Sequence, residues 1–441
     1  MILVDTALEK RQSAGNPVRV AMIGSGFMGR AIALNIITGV PGMELVAIAN
    51  RTLEGARRAY REAGVDPVQT VETVAQLEQA ISSGTCAVTE DAMLLCQAGG
   101  IEAIIEVTGQ VEFGARVALA AFEHGKHVIL MNAELDATLG PILKVYADRA
   151  GVVLTDTDGD EPGVAMNLYR FVKTMGYHPV AAGNIKGLID HYRTPETQRE
   201  FAAKYGQSAR MVTSFADGTK LSLEETILAN ATGFRVGKRG MYGPSCADVR
   251  EATKLFPAEQ LLNGGLVDYV LGAEPRTGAW VLGYTEHPVK KFYLDLFKLG
   301  SGPFYCFYTP YHLPPLQLPS TVARAVLFHD ATVSPVGAPV CGVLTAAKRD
   351  LKANEILDGI GGFSTYGLID NADTFQAEDL LPMGLSEGCR LKHDVQKDQP
   401  VRYSDVVLPA GRLCDKLRAE QSAYFASVVA PQLASRYGEM P

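Results

Sequence analysis

The sequence predicts an α/β protein of three parts: an N-terminal Rossmann parallel sheet, a central α+β substrate and oligomerisation domain, and a small β-rich C-terminal domain. Three observations predict it. A glycine fingerprint, Gly24-Ser25-Gly26-Phe27-Met28-Gly29, joins an apolar run to an amphipathic segment bearing Ile32, Ile36 and Ile37. Strand-like and helix-like segments then alternate from Val18 to about Thr155, as a parallel sheet with covering helices requires. Beyond Pro335, short alternating runs broken by glycine and proline turns read as a β-rich module.

Residues 1–16 read as a short polar helix ending at Gly15-Asn16-Pro17; it either lies across the first domain or reaches a neighbouring subunit. Strand, tight turn and helix follow from Val18. The first glycine permits the turn, the second lets backbone approach a pyrophosphate, and the third lets helix and strand pack closely, with free helix N–H groups aimed at the phosphates. The second strand, from Glu44, ends in Asn50-Arg51, with Arg57 and Arg58 close behind. An NAD site usually places Asp or Glu here, roughly 20 residues beyond the glycines, for the ribose 2′-hydroxyl. A guanidinium without a carboxylate suits a 2′-phosphate, so the expected cofactor is NADP(H). The competing reading of Arg51 is a solvated loop charge.

Three more strands complete the first domain. Ile101–Gly109 ends in Thr108-Gly109, Lys126–Asn132 ends in Asn132 with Glu134 just beyond, and Gly151–Asp156 closes the series; Phe113–Glu123 and Gly140–Ala150 are the helices between them. Ligands of such sheets bind outside the carboxyl ends of the strands. Gly24, Asn50, Thr108, Gly109 and Asn132 are therefore expected on a cofactor rim, with Glu134 beside it touching the nicotinamide ribose or ordering the substrate site. His127, at a strand start, reads as structural.

The first domain is placed at residues 1–156, the second at 157–334 and the third at 335–441. In the second, Tyr177–Lys186 reads as a strand, and Ala209–Glu225 as a hairpin turning at Asp217-Gly218. Thr226–Ala231 is a helix stopping at Gly233, Leu266–Leu271 and Ala279–Gly283 are further strands, and Phe304–Pro315 is aromatic and proline-broken. Ser320–Phe328 is a helix returning toward the first domain. The tail after Arg412 reads as a helix with a frayed end.

Chain length and composition bound the function. The 441 residues suffice for two or three domains, and 47% hydrophobic with 20% charged residues describes a soluble protein with ample core. A net charge of −8 argues against nucleic acid and anionic membranes as partners. No apolar run approaches the roughly 18 residues of a membrane span. The N-terminus lacks the basic start and apolar core of a signal peptide. A cytoplasmic location, a small-molecule substrate and a homo-oligomer are the expectations. Seven cysteines without a Cys-x-x-Cys pair support neither a disulfide framework nor a zinc ribbon.

The densest acidic cluster is Asp156-Thr-Asp158-Gly-Asp160-Glu161-Pro162-Gly163, between a strand and an amphipathic helix. Asp158, Asp160 and Glu161 are candidates for catalysis and for holding Mg²⁺ or Mn²⁺, which take oxygen ligands and could polarise a ketone. The structural alternative is a helix cap at Asp160 or Glu161 and a turn at Asp158-Gly159. Lys186, in Gly183-Asn-Ile-Lys-Gly187, is a candidate to protonate a nascent alkoxide or fix a substrate anion, with an exposed loop lysine as its competitor. Arg235, Lys238 and Arg239, in a glycine-rich stretch, could hold a substrate phosphate or be surface charge. His312 is either a substrate-site acid or a buried, hydrogen-bonded histidine. Lys220 reads as solvated.

Together these motifs resemble the homoserine-dehydrogenase-like NAD(P)-dependent oxidoreductases that carry a C-terminal SAF domain. The resemblance covers almost the whole chain, through Gly24–Gly29, Ile105–Gly109, Met131–Glu134, Asp156–Gly163, Gly183–Gly187 and Ala347-Lys-Arg-Asp-Leu351. That family includes reductoisomerases similar to, but separate from, the usual 1-deoxy-D-xylulose 5-phosphate reductoisomerase. The resemblance implies NADPH, isomerisation of a ketose phosphate with help from a divalent cation, and reduction of the resulting aldehyde. Arg51, the acidic cluster and the basic 235–239 loop would each find a role there. Reduction of an amino-acid semialdehyde, or a dinucleotide-responsive sensor without turnover, are the alternatives. The C-terminal domain would be SAF-like.

Overall fold

Apolar strands that read as continuous runs must be covered on both faces, and the first sheet is built that way. The computed structural model describes residues 3–437, with side chains to 427. Its first sheet is wholly parallel. The strands are β1 (Val18–Ile23), β2 (Met43–Ala49), β3 (Gln69–Thr70), β4 (Ala87–Thr89), β5 (Ala103–Glu106), β6 (His127–Leu130) and β7 (Leu154–Asp156). Their spatial order is β3-β4-β2-β1-β5-β6-β7. Alternate residues feed two cores: Ile23, Ile104 and Val128 on one face, Met22, Ile105 and Ile129 on the other.

The covering helices are α1 (Val4–Ser13), α2 (Phe27–Gly39), α3 (Leu53–Glu62), α4 (Val74–Ser82), α5 (Ala92–Gln97), α6 (Val111–Glu123) and α7 (Ala133–Arg149). α1 lies across this domain: Val4 and Leu8 join the core of Ile32 and Ile36, and Arg11 pairs with Glu102 at 2.8 Å. Helix α7 starts earlier than the expected Gly140, because the Asn132 side chain caps it at Leu135 N. The strand order reverses beside β1, so the carboxyl ends of β1 and β5 border the crevice where ligands of open α/β sheets bind.

A second sheet has the order β11-β10-β8-β9, from β8 (His178–Lys186), β9 (Leu266–Leu271), β10 (Ala279–Tyr284) and β11 (Phe304–Thr309). α8 (Glu161–Thr174) leads into it. The segment expected as a hairpin is instead helical. After α9 (Arg199–Tyr205) come α10 (Ala209–Ala216) and α11 (Thr219–Thr232), with Asp217-Gly218 as a helix–helix joint. Gly218 takes φ +84°, and the Asp217 carboxylate accepts from Thr219 N. Helix α11 is buried on nearly every side, so its sequence shows no amphipathic stripe to separate it from a strand.

α12 (Ala258–Leu262) and α13 (Pro288–Leu296) flank this sheet. α14 (Pro314–Phe328) begins with prolines in its first turn, where a missing N–H costs nothing. It returns to the first domain: Leu318 and Val322 pack into the core of Ile32, and Asn35 donates to Leu316 O. The C-terminal unit pairs β12 (Cys341–Ala347) with β13 (Thr365–Asn371), followed by α15 (Ala372–Ala377), β14 (Arg390–Leu391) and β15 (Val406–Val407). It is bolted to α11 by Gly367 N donating to Thr219 Oγ1 and Ser222 Oγ donating to Gly367 O. α16 (Leu413–Tyr437) then crosses back onto α6 and α7, where Glu112 accepts from Leu413 N and Cys414 N. The very end of the tail, expected to fray, lies outside the described residues. Among the described residues no helix is long and apolar enough to cross a membrane.

Candidate active site

The turn after β1 is a cradle. Gly24 has φ +102°, and a Cβ there would meet Val107 O at 2.9 Å; a Cβ on Gly29 would meet Gly24 O at 2.5 Å. Gly26, by contrast, faces open space and starts α2 with no side-chain cap. Free N–H groups at that helix end, and a buried Ser25 Oγ with no partner among the described residues, fit a dinucleotide pyrophosphate. Phe27 is exposed and Met28 half-buried beside it. Asn50 Oδ1 accepts from Ser25 N and its Nδ2 donates to Thr52 O, so this residue ties the second strand end to the glycine turn. Arg51 is exposed and has no ion-pair partner among the described residues, while Arg58 pairs with Glu62 and Arg57 bonds Thr70.

On the β5 side, Thr108 N donates to the Glu106 carboxylate, and Gly109 turns at φ +65°. A Cβ on Gly109 would lie 3.6 Å from Met211 Cε and 4.0 Å from Glu134 Oε2. Asn132, expected to face the cofactor, is fully buried. It caps α7 and donates to Glu106 Oε2 at 2.5 Å, because a helix N-terminus needs an acceptor there more than the rim does. Burial pushes Glu106 up to about 7, although Thr108 and Asn132 donate to it.

Beyond this rim, four elements converge on one polar cluster. Asp160 and Glu161 begin α8, Lys186 ends β8, and Lys220 and Glu224 lie one turn apart on α11. His312 stands just before α14. Lys186 Nζ donates to Glu161 Oε1 at 2.6 Å and to Glu224 Oε2 at 3.2 Å. Asn184 Nδ2 donates to the same Glu224 oxygen at 2.8 Å, and Asn184 N to Glu225 Oε1. His312 Nε2 lies 3.4 Å from Glu161 Oε2, its Nδ1 bonding Thr277. Lys220 Nζ is 3.8 Å from Asp160 Oδ2. The carboxyls are almost fully buried, whereas the side chains of Lys186 and His312 keep 20% and 27% of their surface exposed, so these two form the cluster's accessible face.

These neighbours drive the carboxyl groups apart. Burial raises Glu161, but the Lys186 and His312 charges outweigh it and hold its carboxyl down at about 2. Burial and repulsion from Glu161 push Glu224 up to about 8 in spite of Lys186. Burial works against the Lys186 ammonium, yet Glu161 and Glu224 hold it above the ordinary lysine range. Lys220 is likewise held high, by Glu134 and Asp160 against burial. Asp160 is raised by burial and Glu161, with Lys220 moderating the effect, and Asp156 is raised further by burial, Asp160 and Asp136. The cluster thus holds a permanent carboxylate, a permanent cation and a neutral acid near pH 7, a set suited to proton transfer beside a developing charge.

Several sequence expectations need correction. Asp160 occupies the cap position of α8, but its side chain makes no capping bond, so the cap reading fails there. Asp158 faces away from the cluster: its carboxylate accepts from Asn167 and Ser320 with Arg324 at 3.5 Å, and its N–H donates to Thr321, which fastens α14. Arg239 bonds Asp370 and Glu378, Arg235 bonds Asp373, and Lys238 lies over the Tyr242 ring. Carboxylates of the C-terminal unit thus engage both arginines of this loop, which clamps the two domains, so neither arginine stands free for a phosphate. Asp160, Glu161 and Glu224 bring oxygens within 4.8 Å of one another. Two ammonium groups already face those oxygens, so the set does not fit Mg²⁺ or Mn²⁺. Lys220, expected to be solvated, is instead largely buried beside Asp160, because its segment is an enclosed helix and not a hairpin, and Glu224 escaped the sequence reading; their i,i+4 spacing marks one helix face once the segment is read as helix.

Two stretches match family models. Residues 18–130 match the GFO/IDH/MocA oxidoreductase family, NAD-binding Rossmann fold, and residues 159–318 match the oxidoreductase DRL catalytic domain. Among solved structures, scyllo-inositol dehydrogenase from Lactobacillus casei is 12% identical, with 71% of this chain and 89% of that chain covered and a TM-score of 0.39. A probable dehydrogenase from Thermotoga maritima is 13% identical, with 73% and 91% covered and a TM-score of 0.41. Levoglucosan dehydrogenase in complex with NADH and L-sorbose is 15% identical, with 71% and 90% covered and a TM-score of 0.41. A search of curated proteins found no match.

Proposed function

We propose that this chain, an NAD(P)-dependent oxidoreductase by its two family matches, uses NADPH to reduce the carbonyl of a small hydroxylated compound at Lys186. The observation that carries the reading is the Lys186–Glu161–Glu224 cluster at the end of β8. Reduced nicotinamide, when bound, supplies the hydride. Lys186, held cationic by Glu161, polarises the carbonyl oxygen and stabilises the alkoxide as it forms. Glu224, neutral near pH 7, supplies the proton through Lys186, and Glu161 stays ionised throughout. Glu134 and Lys220 continue the polar surface toward Gly109.

Two expected results test this. Reductive kcat/KM falls as pH rises through about 8, because Glu224 then loses the proton it must give. Glu224→Gln carries no titrating proton, so its rate is lower and that alkaline limb is flattened; a limb unchanged in the variant refutes the role. Arg51→Ala raises KM for NADPH by about 10-fold and leaves NADH unaffected, because a lost charge-assisted hydrogen bond is worth about that factor. An equal change for both cofactors removes the 2′-phosphate contact from Arg51.

The substrate is sought by following NADPH oxidation with a ketose phosphate, the unphosphorylated ketose and an amino-acid semialdehyde, each with and without Mg²⁺. With the 235–239 arginines engaged by Asp370, Glu378 and Asp373, the unphosphorylated ketose is expected to turn over at least as well as its phosphate. Metal-dependent turnover of the phosphate alone supports the reductoisomerase-like reaction instead.

A further inference from the structure

A cavity of about 600 Å³, lined by no residue of the Lys186 cluster, opens between α16 and the C-terminal unit. Phe375, Leu380, Tyr403, Leu408 and Phe425 give it an apolar wall, and Arg418 on α16 supplies its cation. Its size lies in the range of small-molecule sites, which pair apolar walls with a few fixed polar groups. Arg418 is only partly spent. One Nη donates to Thr138 O at 3.1 Å, and the guanidinium carbon stands 5.5 Å from the centre of the Phe375 ring. Among the described residues it has no carboxylate partner, and burial holds its basicity below the ordinary arginine range although the neighbouring Tyr403 hydroxyl works the other way.

The other charges at the cavity select among anions. Asp415 is already held by Arg412 through two bonds of 2.8 Å. Asp379, an exposed residue of the same lining, has no ion-pair partner among the described residues. One guanidinium, with the Asp379 and Asp415 carboxylates also on the lining, balances a single negative charge better than the two of a phosphate ester, and the apolar body of a monoanion rests on the aromatic wall. We propose that this cavity binds an amphiphilic monocarboxylate, its head on Arg418 and its chain along Phe375 and Leu408.

The site is also joined to the catalytic half of the chain. Arg418 holds Thr138 O while Gln421 Oε1, three residues further along α16, accepts from Ile142 N. Thr138 and Ile142 are an i,i+4 pair on α7 flanking Pro141, and the first turn of that helix carries Glu134.

The probe is octanoate, titrated calorimetrically into the full chain, with octanamide as the uncharged control. Octanoate is expected to bind and octanamide to bind about 10-fold or more weakly, the factor of one charge-assisted bond. Arg418→Met loses the preference for octanoate. Because that change also removes a bond to α7, Ala419→Trp serves as a second variant: it fills the cavity from an exposed position without touching Arg418, and abolishes binding. The proposal is overturned if octanoate and octanamide bind equally, if octanoate does not bind at millimolar concentration, or if Ala419→Trp binds it like the parent.

Discussion

Lys186→Met is expected to lower the rate of carbonyl reduction by about 10²–10⁴-fold, the range measured for positioned proton-transfer groups. The ammonium is the accessible cation of the cluster, bonded to Glu161 at 2.6 Å and to Glu224 at 3.2 Å. Removing it takes away both the charge that polarises the substrate oxygen and the charge that keeps Glu161 ionised. The Glu161 carboxyl, no longer held at about 2, rises toward the range of a buried acid. Loss of kcat with NADPH binding unchanged is the expected pattern, and it separates a role in chemistry from one in cofactor binding. Lys186→Arg keeps the charge but not the point geometry, and recovers only part of the rate. Near-parental kcat in Lys186→Met sinks the mechanism while leaving the NAD(P) fold intact.

Lys348→Met is expected to cost about 3–5 kcal/mol of stability, as breaking a buried ion pair on one side generally does. Lys348 Nζ reaches the fully buried Asp217 at 2.8 Å, and also donates to Arg193 O and Gly362 O. It thus joins the C-terminal unit to the α10–α11 joint. The pH dependence follows from Asp217, whose carboxyl is already raised by burial even with Lys348 beside it. Without the lysine it rises further. A group raised above its unfolded value contributes stability at low pH and loses it as pH climbs through the folded value. The variant's deficit is therefore larger at pH 8 than at pH 5, in chemical-denaturation midpoints measured at both. Adding Asp217→Asn removes the buried charge and recovers part of the loss; no recovery means that packing, not charge, accounts for the defect.

How much could be read from the chain depended on how local the cause was. Gly24, Gly26 and Gly29 declare a strand–turn–helix by themselves, since their roles concern neighbours within a few residues. Arg51 and the strand ends at Thr108 and Gly109 follow from position along a parallel sheet. The helix from Glu161 was legible from its proline and apolar spacing. Lys186 was legible as the end of a strand, though not as the centre of a carboxylate pair.

The remainder was decided by tertiary packing. Helix α11 is enclosed on nearly all sides, and full enclosure erases the alternation of apolar and polar residues from which a helix is recognised. With that helix misread as a hairpin, Lys220 and Glu224 could not be seen beside Asp160 and Glu161. Asp158 and Asp160 are two residues apart and chemically alike; one turns to Arg324 and the other to Lys220, a choice made by where α14 and α11 dock. The basic loop at 235–239 looked free because its carboxylates lie more than 130 positions later in the chain. The dinucleotide fold could be read from the chain alone, because backbone geometry and strand register are short-range properties. Which charges meet could not, because Coulomb partners are set by proximity in space, and burial in a low dielectric then turns that proximity into chemistry.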